Sequence, residues 1–320
     1  MHRNNTEFLK DEIQTARSAS DWRTLIRVGG ELERLGEYAE AWLALAEGAE
    51  IRKGTTLPNW AGPNDTCKRL LIRRRIRHLG AELRNARFIG CALRDVDKVT
   101  VATEARLIPL LQRSFPAAQF VDAEAASSID GPGVESSYER LAFHYGANEQ
   151  AIKNSFTPLI PPPSSAVKPM GIGIAWHSSN SKKPLPTIDD WASVLSSINI
   201  SIKSLQYNEE EAGIARLSEL SARAIEPSTP IDQIVDVDGF AGLTAAVKGV
   251  LTISNTTAHM AGALGIPCAV ILDNMPHLTW PASGDQSPFY PSVHIIRQNG
   301  RPWPEVIAEG VQTLDKLALL

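Results

Sequence analysis

The stretch VLTISNTTAHMAGALG, residues 250–265, decides the reading of the fold. Val250, Leu251, Thr252 and Ile253 form a β-branched apolar run, the pattern of a buried strand. The run breaks at Ser254, Asn255, Thr256 and Thr257, and an Ala/Met/Gly/Leu segment with helical preference starts at about Ala258. Asn255, Thr256 and Thr257 are all able to cap, and they stand where a helix start leaves amide N–H groups unpaired. Such an end carries about half a positive charge and seats phosphate. Ala261, Gly262 and Ala263 are small enough for the helix, or a ligand, to approach neighbouring backbone closely. Alone, the stretch fits an ordinary capped helix as well as an anion seat.

The surrounding half supplies context. A strand is predicted over 172–176, a polar loop over 177–186 and a helix through 191–195. A strand ending at Leu205, Gln206 and Tyr207 leads into an acidic helix start at 209–211. A helix over 240–247 precedes the 250–253 strand, and a further strand covers 268–272. Alternation of this kind means a parallel sheet with helices on both faces. Ligands of such sheets bind beyond the carboxyl ends of the strands. The loops 177–186, 206–211, 254–257 and 273–280 all follow strands, so all four are expected to open onto one crevice.

The other half divides in two. Residues 21–53 read as two amphipathic helices, the second with the pattern LERLGEYAEAWLALAEGAEI (32–51). One helical hairpin cannot bury its own face, so this piece is expected to dock on the globular body or on a second chain. After a punctuated linker at 58–63, a second α/β unit is predicted. Its strands are 70–72, 99–102 and 119–121, and its helices are 81–93 and 106–113. Residues 123–133 read as a mobile loop, and the Pro-rich 157–169 as a stiff interdomain link.

A chain of 320 residues, 43% apolar with net charge −4, is a globular chain large enough for two cores. Its charge balance gives no sign of nucleic acid. Three widely spaced cysteines, Cys67, Cys91 and Cys268, suit a reducing compartment and show no metal spacing. No apolar run marks a secretory signal or a membrane span, so a cytoplasmic location is expected.

The runs IAWHSSNSKKPLP (174–186), SLQYNEE (204–210), DVDGFAGLTAAV (236–247), SNTTAHMAGALGIP (254–267) and SPFYPSVHIIRQNGRPWPEVI (287–307) carry a resemblance. Together they resemble the C-terminal half of bacterial tetratricopeptide-linked glycosyltransferases, relatives of the lipopolysaccharide heptosyltransferases. EARLIPLLQRSFPAAQFV (104–121) is similar to the shortened acceptor-side domain of that family. The resemblance implies an α/β fold of two Rossmann-like domains facing a cleft, called GT-B, behind a short TPR-like hairpin. It divides the chain into a helical segment at 1–57, an acceptor-side domain at 58–160 and a nucleotide-sugar-binding domain at 168–320. It further implies metal-independent, inverting transfer of a sugar from a nucleotide-diphospho-sugar to a protein or glycan hydroxyl, with no cofactor.

Residue by residue, the resemblance implies that Asn255, Thr256, Thr257 and His259 hold the diphosphate. Gln206 and Tyr207 would lie near the base and ribose, and Lys182 or Lys183, in the loop after Trp176 and His177, would neutralise the leaving phosphate. Asp238 takes the family's acidic position before a helix. Asp236 and Asp238 have the letters of a metal-binding triplet, but their place at a helix entry fits capping.

One departure stands out. Where the family has a glycine and then an aspartate that takes the acceptor proton, this chain has His78 and Ala81. Loss of a general base typically lowers a rate roughly 10²–10⁴-fold. Glu82 and His78 are weak substitutes. The same turn is rich in arginine (Arg73, Arg74, Arg75, Arg77, Arg84 and Arg87), readable as a solvated face or as a seat for an anionic partner. A protein partner is expected at Arg73–Arg77 or at the helical hairpin. No stacking aromatics interleave the arginines, so nucleic acid is not expected. Two functions remain: an active glycosyltransferase, or a catalytically silent relative acting as a binding or assembly module.

Overall fold

The computed structural model of the chain describes residues 2–124, 133–163, 169–178, 180, 183–207, 210–228 and 230–317. Contacts gather into two units, Met1–Thr157 with His277–Ser283, and Pro158–Pro276 with Gly284–Leu320.

The first unit opens with three helices, α1 (His2–Ser18), α2 (Trp22–Arg34) and α3 (Tyr38–Lys53). Asp21 starts α2 by accepting hydrogen bonds from the Arg23 and Thr24 amides. Leu9, Ile13 and Ala16 of α1 share a core with Leu25, Val28 and Leu32 of α2 and with Ala41 and Ala44 of α3. The sequence reading missed α1 because few apolar residues, Phe8 and these three, interrupt a polar run, and Phe8 is exposed. Instead of presenting one apolar face, α3 is buried along most of its length. Its Trp42 donates to the Gly146 carbonyl at 3.2 Å, so the helical segment is part of the first unit rather than an appendage.

The first sheet contains β1 (Arg69–Arg73), β2 (Lys98–Thr103), β3 (Gln119–Asp122) and β4 (Val134–Ser137), in the order β3-β2-β1-β4. Every pairing is parallel. The single helix expected over 81–93 is two, α4 (Leu79–Asn85) and α5 (Arg87–Asp95), followed later by α6 (Ile108–Ser114) with a proline in its first turn. Two further helices, α7 (Tyr138–Tyr145) and α8 (Glu149–Asn154), are capped by Ser137 and Asn148. The punctuated stretch at 58–63 is not a loose linker. Trp60 is buried, and its amide donates to the Glu135 carbonyl on β4 at 2.7 Å. Of the loop expected to be mobile, residues 125–132 lie outside the described residues.

The second unit contains β5 (Ile172–Ala175), α9 (Ile188–Leu195), β6 (Ile202–Ser204), α10 (Glu210–Ser221), β7 (Ile225–Glu226) and α11 (Val237–Ala245). It continues through β8 (Gly249–Ile253), α12 (Thr256–Leu264), β9 (Cys268–Leu272), β10 (Val293–Arg297) and α13 (Trp303–Lys316). The six strands lie in the order β10-β9-β8-β5-β6-β7, all parallel. β8 and β9 are buried at every residue, which is why 250–253 and 268–272 read as unbroken apolar runs. Gly265 ends α12 with φ of 74°, a left-handed position that suits glycine. The chain runs outward from β5 in one direction and returns to β8 on its other side. The switch point, where such sheets bind ligands, therefore lies between β5 and β8.

Two boundary expectations change. Of the Pro-rich segment, 158–163 group with the second unit, the Leu159 amide donating to the Ala263 carbonyl at 2.8 Å, and 164–168 lie outside the described residues. The loop at 273–280 does not open as one piece onto the second sheet. Residues His277–Ser283 group with the first unit, where the Ala282 amide meets the Arg34 carbonyl at 2.8 Å. Among the described residues, no helix is long and apolar enough to cross a membrane.

Candidate functional site

Three loops converge at the switch point of the second sheet. Asn255 caps α12, its Oδ1 accepting from the Ala258 amide at 3.3 Å and from Thr252 Oγ1 at 3.2 Å. Its Nδ2 donates to the His177 carbonyl at 3.4 Å, tying the loop after β8 to the loop after β5. Gln206 makes the matching tie from β6. Its Oε1 accepts from the Trp176 and His177 amides at 2.9 and 2.8 Å, and its Nε2 donates to the Tyr207 carbonyl at 2.6 Å. Thr257, fully buried, donates to the Leu205 carbonyl at 3.4 Å.

Lys183 completes the arrangement. Its ammonium donates to the Ser254 carbonyl, at the turn that enters α12. Burial weakens its hold on the proton, while the charge of Asp273, just past β9, acts in the opposite sense. The first amides of α12, at Thr256 and Thr257, lie outside the helical ladder. A cation and a helix N-terminus at one turn are groups with the chemistry to hold an anion such as phosphate.

The structure assigns different work to several predicted residues. Trp176 is a core side chain packed on α10, where a Cβ at Gly213 would lie 2.7 Å from its ring. His177 is exposed and engaged through its backbone. The Gln206 side chain is spent on holding the two loops together, and Tyr207 beside it is half-exposed. His259 is buried, its Nδ1 3.1 Å from the Tyr290 hydroxyl and its ring edge-on to Tyr290. The small-residue stretch in α12 admits that same side chain rather than a ligand, because a Cβ at Gly262 would lie 2.5 Å from Tyr290 Cγ. Asp236 caps α11, accepting from the Gly239 amide at 2.7 Å, and Asp238 stands half-buried in the first turn. Lys182 lies outside the described residues. Sequence reasoning missed Tyr290 and Asp273, although both fall in segments it had singled out.

At the first sheet, Glu82 is held by groups of the protein itself. Its carboxylate is turned inward to Arg74, to Thr103 Oγ1 at 2.7 Å and to the Glu104 amide at 3.3 Å, so both oxygens are occupied. Burial pushes its pKa up, against the pull of Thr103 and Arg74. His78 stands exposed at the N-cap position of α4 without a side-chain capping bond, and Ala81 follows half-buried in the first turn.

The arginine-rich turn is balanced by carboxylates from distant parts of the chain. Arg73 and Arg75 both pair with the buried Glu135. Burial opposes ionisation of Glu135, but the Arg73 hydrogen bond and the Arg75 charge outweigh it and hold its pKa below the ordinary carboxylate range. Arg74 joins Glu82 to Glu104, Arg77 meets Glu124 at 2.7 Å, and Arg84 forms a buried pair with Glu33. A pocket of about 160 Å³ remains beside Arg73, Arg75 and Lys53.

No protein-family model matches the chain. Protein FlbA of Caulobacter vibrioides is 28% identical over 307 residues, covering 82% of this chain and 50% of the relative. The chain thus spans about half the length of that curated relative. Among solved structures, E. coli heptosyltransferase WaaC with ADP-2-deoxy-2-fluoro heptose has a TM-score of 0.51 and 13% identity, covering 78% of this chain and 99% of its own. A family 9 glycosyl transferase from Veillonella parvula has a TM-score of 0.57 and 9% identity, covering 79% and 97%. At such identities the likeness establishes the fold: this chain shares the architecture of heptosyltransferases and family 9 glycosyltransferases.

Proposed function

We propose that the second unit binds a nucleotide-diphospho-sugar and that the chain transfers the sugar, without a metal and with inversion, to a protein or glycan hydroxyl. The observation that carries this reading is Lys183 set against the Asn255-capped start of α12 at the β5/β8 switch point. Glycosyl transfer builds negative charge on the departing diphosphate. Fixed N–H dipoles and an ammonium aimed at that charge are already oriented before reaction, so little reorganisation opposes their effect. The WaaC structures hold ADP or an ADP-heptose analogue, which makes ADP-heptose the first donor to test.

A second reading, a silent binding or assembly module, is favoured by one observation. Position 81 offers only a methyl group, and the neighbouring Glu82 is locked in hydrogen bonds. Calorimetric titration of ADP, UDP and GDP, with donor turnover measured in parallel, separates the readings. Saturable nucleotide binding with slow sugar release or transfer supports the enzyme, and binding without turnover of any donor supports the module. Lys183→Met is expected to weaken diphosphate binding about 10–100-fold, the effect of removing one charge-assisted hydrogen bond. Binding unchanged by that substitution would remove the donor-site assignment.

A further inference from the structure

The pocket of about 160 Å³ in the first unit lies at the carboxyl ends of its strands, where parallel sheets bind ligands. Arg73 at the end of β1, Ala102 in β2 and Ala123 past β3 line it, and Lys53 and Gly54 border it from the end of α3. Five cationic side chains line it, Lys53, Arg73, Arg74, Arg75 and Arg77, and among the described residues no acidic one does. A concave site walled by one sign of charge concentrates its field on whatever enters.

The carboxylates that pair with the inner arginines stand outside this lining. Glu135, shared by Arg73 and Arg75, and Glu82, paired with Arg74, are both buried. Those arginines are committed to the protein's own structure, but two cations on the pocket wall lack such a commitment. Lys53 is exposed and makes no ion pair among the described residues. Arg77 meets Glu124 with side chains 57% and 65% exposed, a pair that water screens and that contributes little. Two such cations match the double charge of a phosphate, and the planar fork of arginine suits its oxygens. An engineered cavity of about 150 Å³ holds benzene, so a phosphate group has room here. The concave shape favours that compact anion over the acidic face of a protein.

We infer that this pocket binds a phosphate group, as the free ion or as a monoester, with Lys53 and Arg77 as its principal charge partners. The chain's own carboxylates neutralise the inner arginines, and the outer two cations are left for a ligand. The site uses no residue of the second unit, so it stands independently of the sugar-transfer reading.

The probes are inorganic phosphate, glycerol 3-phosphate and glycerol, titrated calorimetrically at constant ionic strength and about pH 8, where phosphate is doubly charged. The full chain carries Lys183→Met, so that the start of α12 competes weakly for phosphate. The inference predicts saturable binding of the two phosphates and none of glycerol. Tighter binding of inorganic phosphate marks the free ion as the occupant, tighter binding of glycerol 3-phosphate marks a monoester, and either supports the site. Adding Lys53→Met and Arg77→Met, both at exposed positions, should weaken phosphate binding at least about tenfold, the loss of a charge-assisted hydrogen bond. Lys53→Met alone should act in the same direction, which keeps the inference open to refutation if the double change does not fold. Absence of phosphate binding, glycerol binding as tightly as glycerol 3-phosphate, or binding indifferent to both substitutions would overturn the site. Hexaglutamate bound in preference to either phosphate would overturn it in favour of an acidic protein partner.

Discussion

The two sheets begin with the same order and use its carboxyl edge in opposite ways. Renumbered from its own first strand, each sheet runs 3-2-1-4, and the second adds two more strands beyond. In the second sheet, the turns after β5 and β8 bring together backbone amides, a capping asparagine and one lysine, the set proposed above to accept an anion from outside. In the first, the residues following β1 meet carboxylates supplied by the same chain at Glu82, Glu104 and Glu135. Topology marks where a ligand can sit, and the side chains decide whether the chain itself fills the place.

The sharpest way to break this comparison is Glu135→Ala. It removes the partner shared by Arg73 and Arg75 and leaves buried positive charge uncompensated, a loss expected to reach about 3–5 kcal/mol. Urea denaturation should show a large drop in the stability of the first unit, while nucleotide binding by the folded chain persists. Acid acts in the same direction. Because the folded pKa of Glu135 is depressed, its contribution is present above the unfolded value and lost as pH falls through the lower folded one. A variant as stable as the parent at neutral pH would mean that the pairs do not hold the sheet edge.

Glu139→Leu tests the opposite case, a carboxyl whose ionisation opposes folding. Burial, opposed chiefly by hydrogen bonds from its own backbone amide and the Ser137 side chain, pushes Glu139 up to about 7. Its folded pKa lies above the unfolded value, so the unfolded chain releases its proton first and stability falls as pH rises from about 4.5 through about 7. The gain from Glu139→Leu should therefore be small at pH 5 and larger by about 2–3 kcal/mol at pH 8. A gain independent of pH would show that the carboxyl titrates normally.

The smallest effect is expected at Asn255→Ala. Loss of the α12 cap should lower stability by about 1 kcal/mol, and loss of its bond to the His177 carbonyl should loosen the loop after β5 as well. Thermal unfolding and nucleotide titration together check it. An unchanged affinity would mean that the two loops hold their places without this tie.

The fold was legible wherever a strand is buried on both faces. β8 and β9 announce themselves as continuous apolar runs, and β9 coincides with the expected 268–272. Strand β4 and helix α7 were not foreseen: Val134–Ser137 carries a single apolar residue, and its Glu135 is held by arginines distant in sequence. The same long-range pairing explains why the arginine turn looked like an exposed patch: its counter-charges lie up to 62 residues away in sequence. At the candidate site, Asn255 could be read as a helix cap from local chemistry, whereas Lys182 or Lys183 came only with the resemblance. The conversion of Trp176 to a core residue and of Gln206 to a loop clamp could not, because each depends on which neighbouring loop reaches it. Tyr290 left a trace in the small side chain at Gly262, which the sequence allowed to be read either as close packing or as space for a ligand.

The most direct measurement is a crystal structure of the chain soaked with a nucleoside diphosphate. The account predicts phosphate oxygens on the Thr256 and Thr257 amides, with the Lys183 ammonium moved from the Ser254 carbonyl onto the anion. A diphosphate bound elsewhere, with Lys183 still on Ser254, would contradict it.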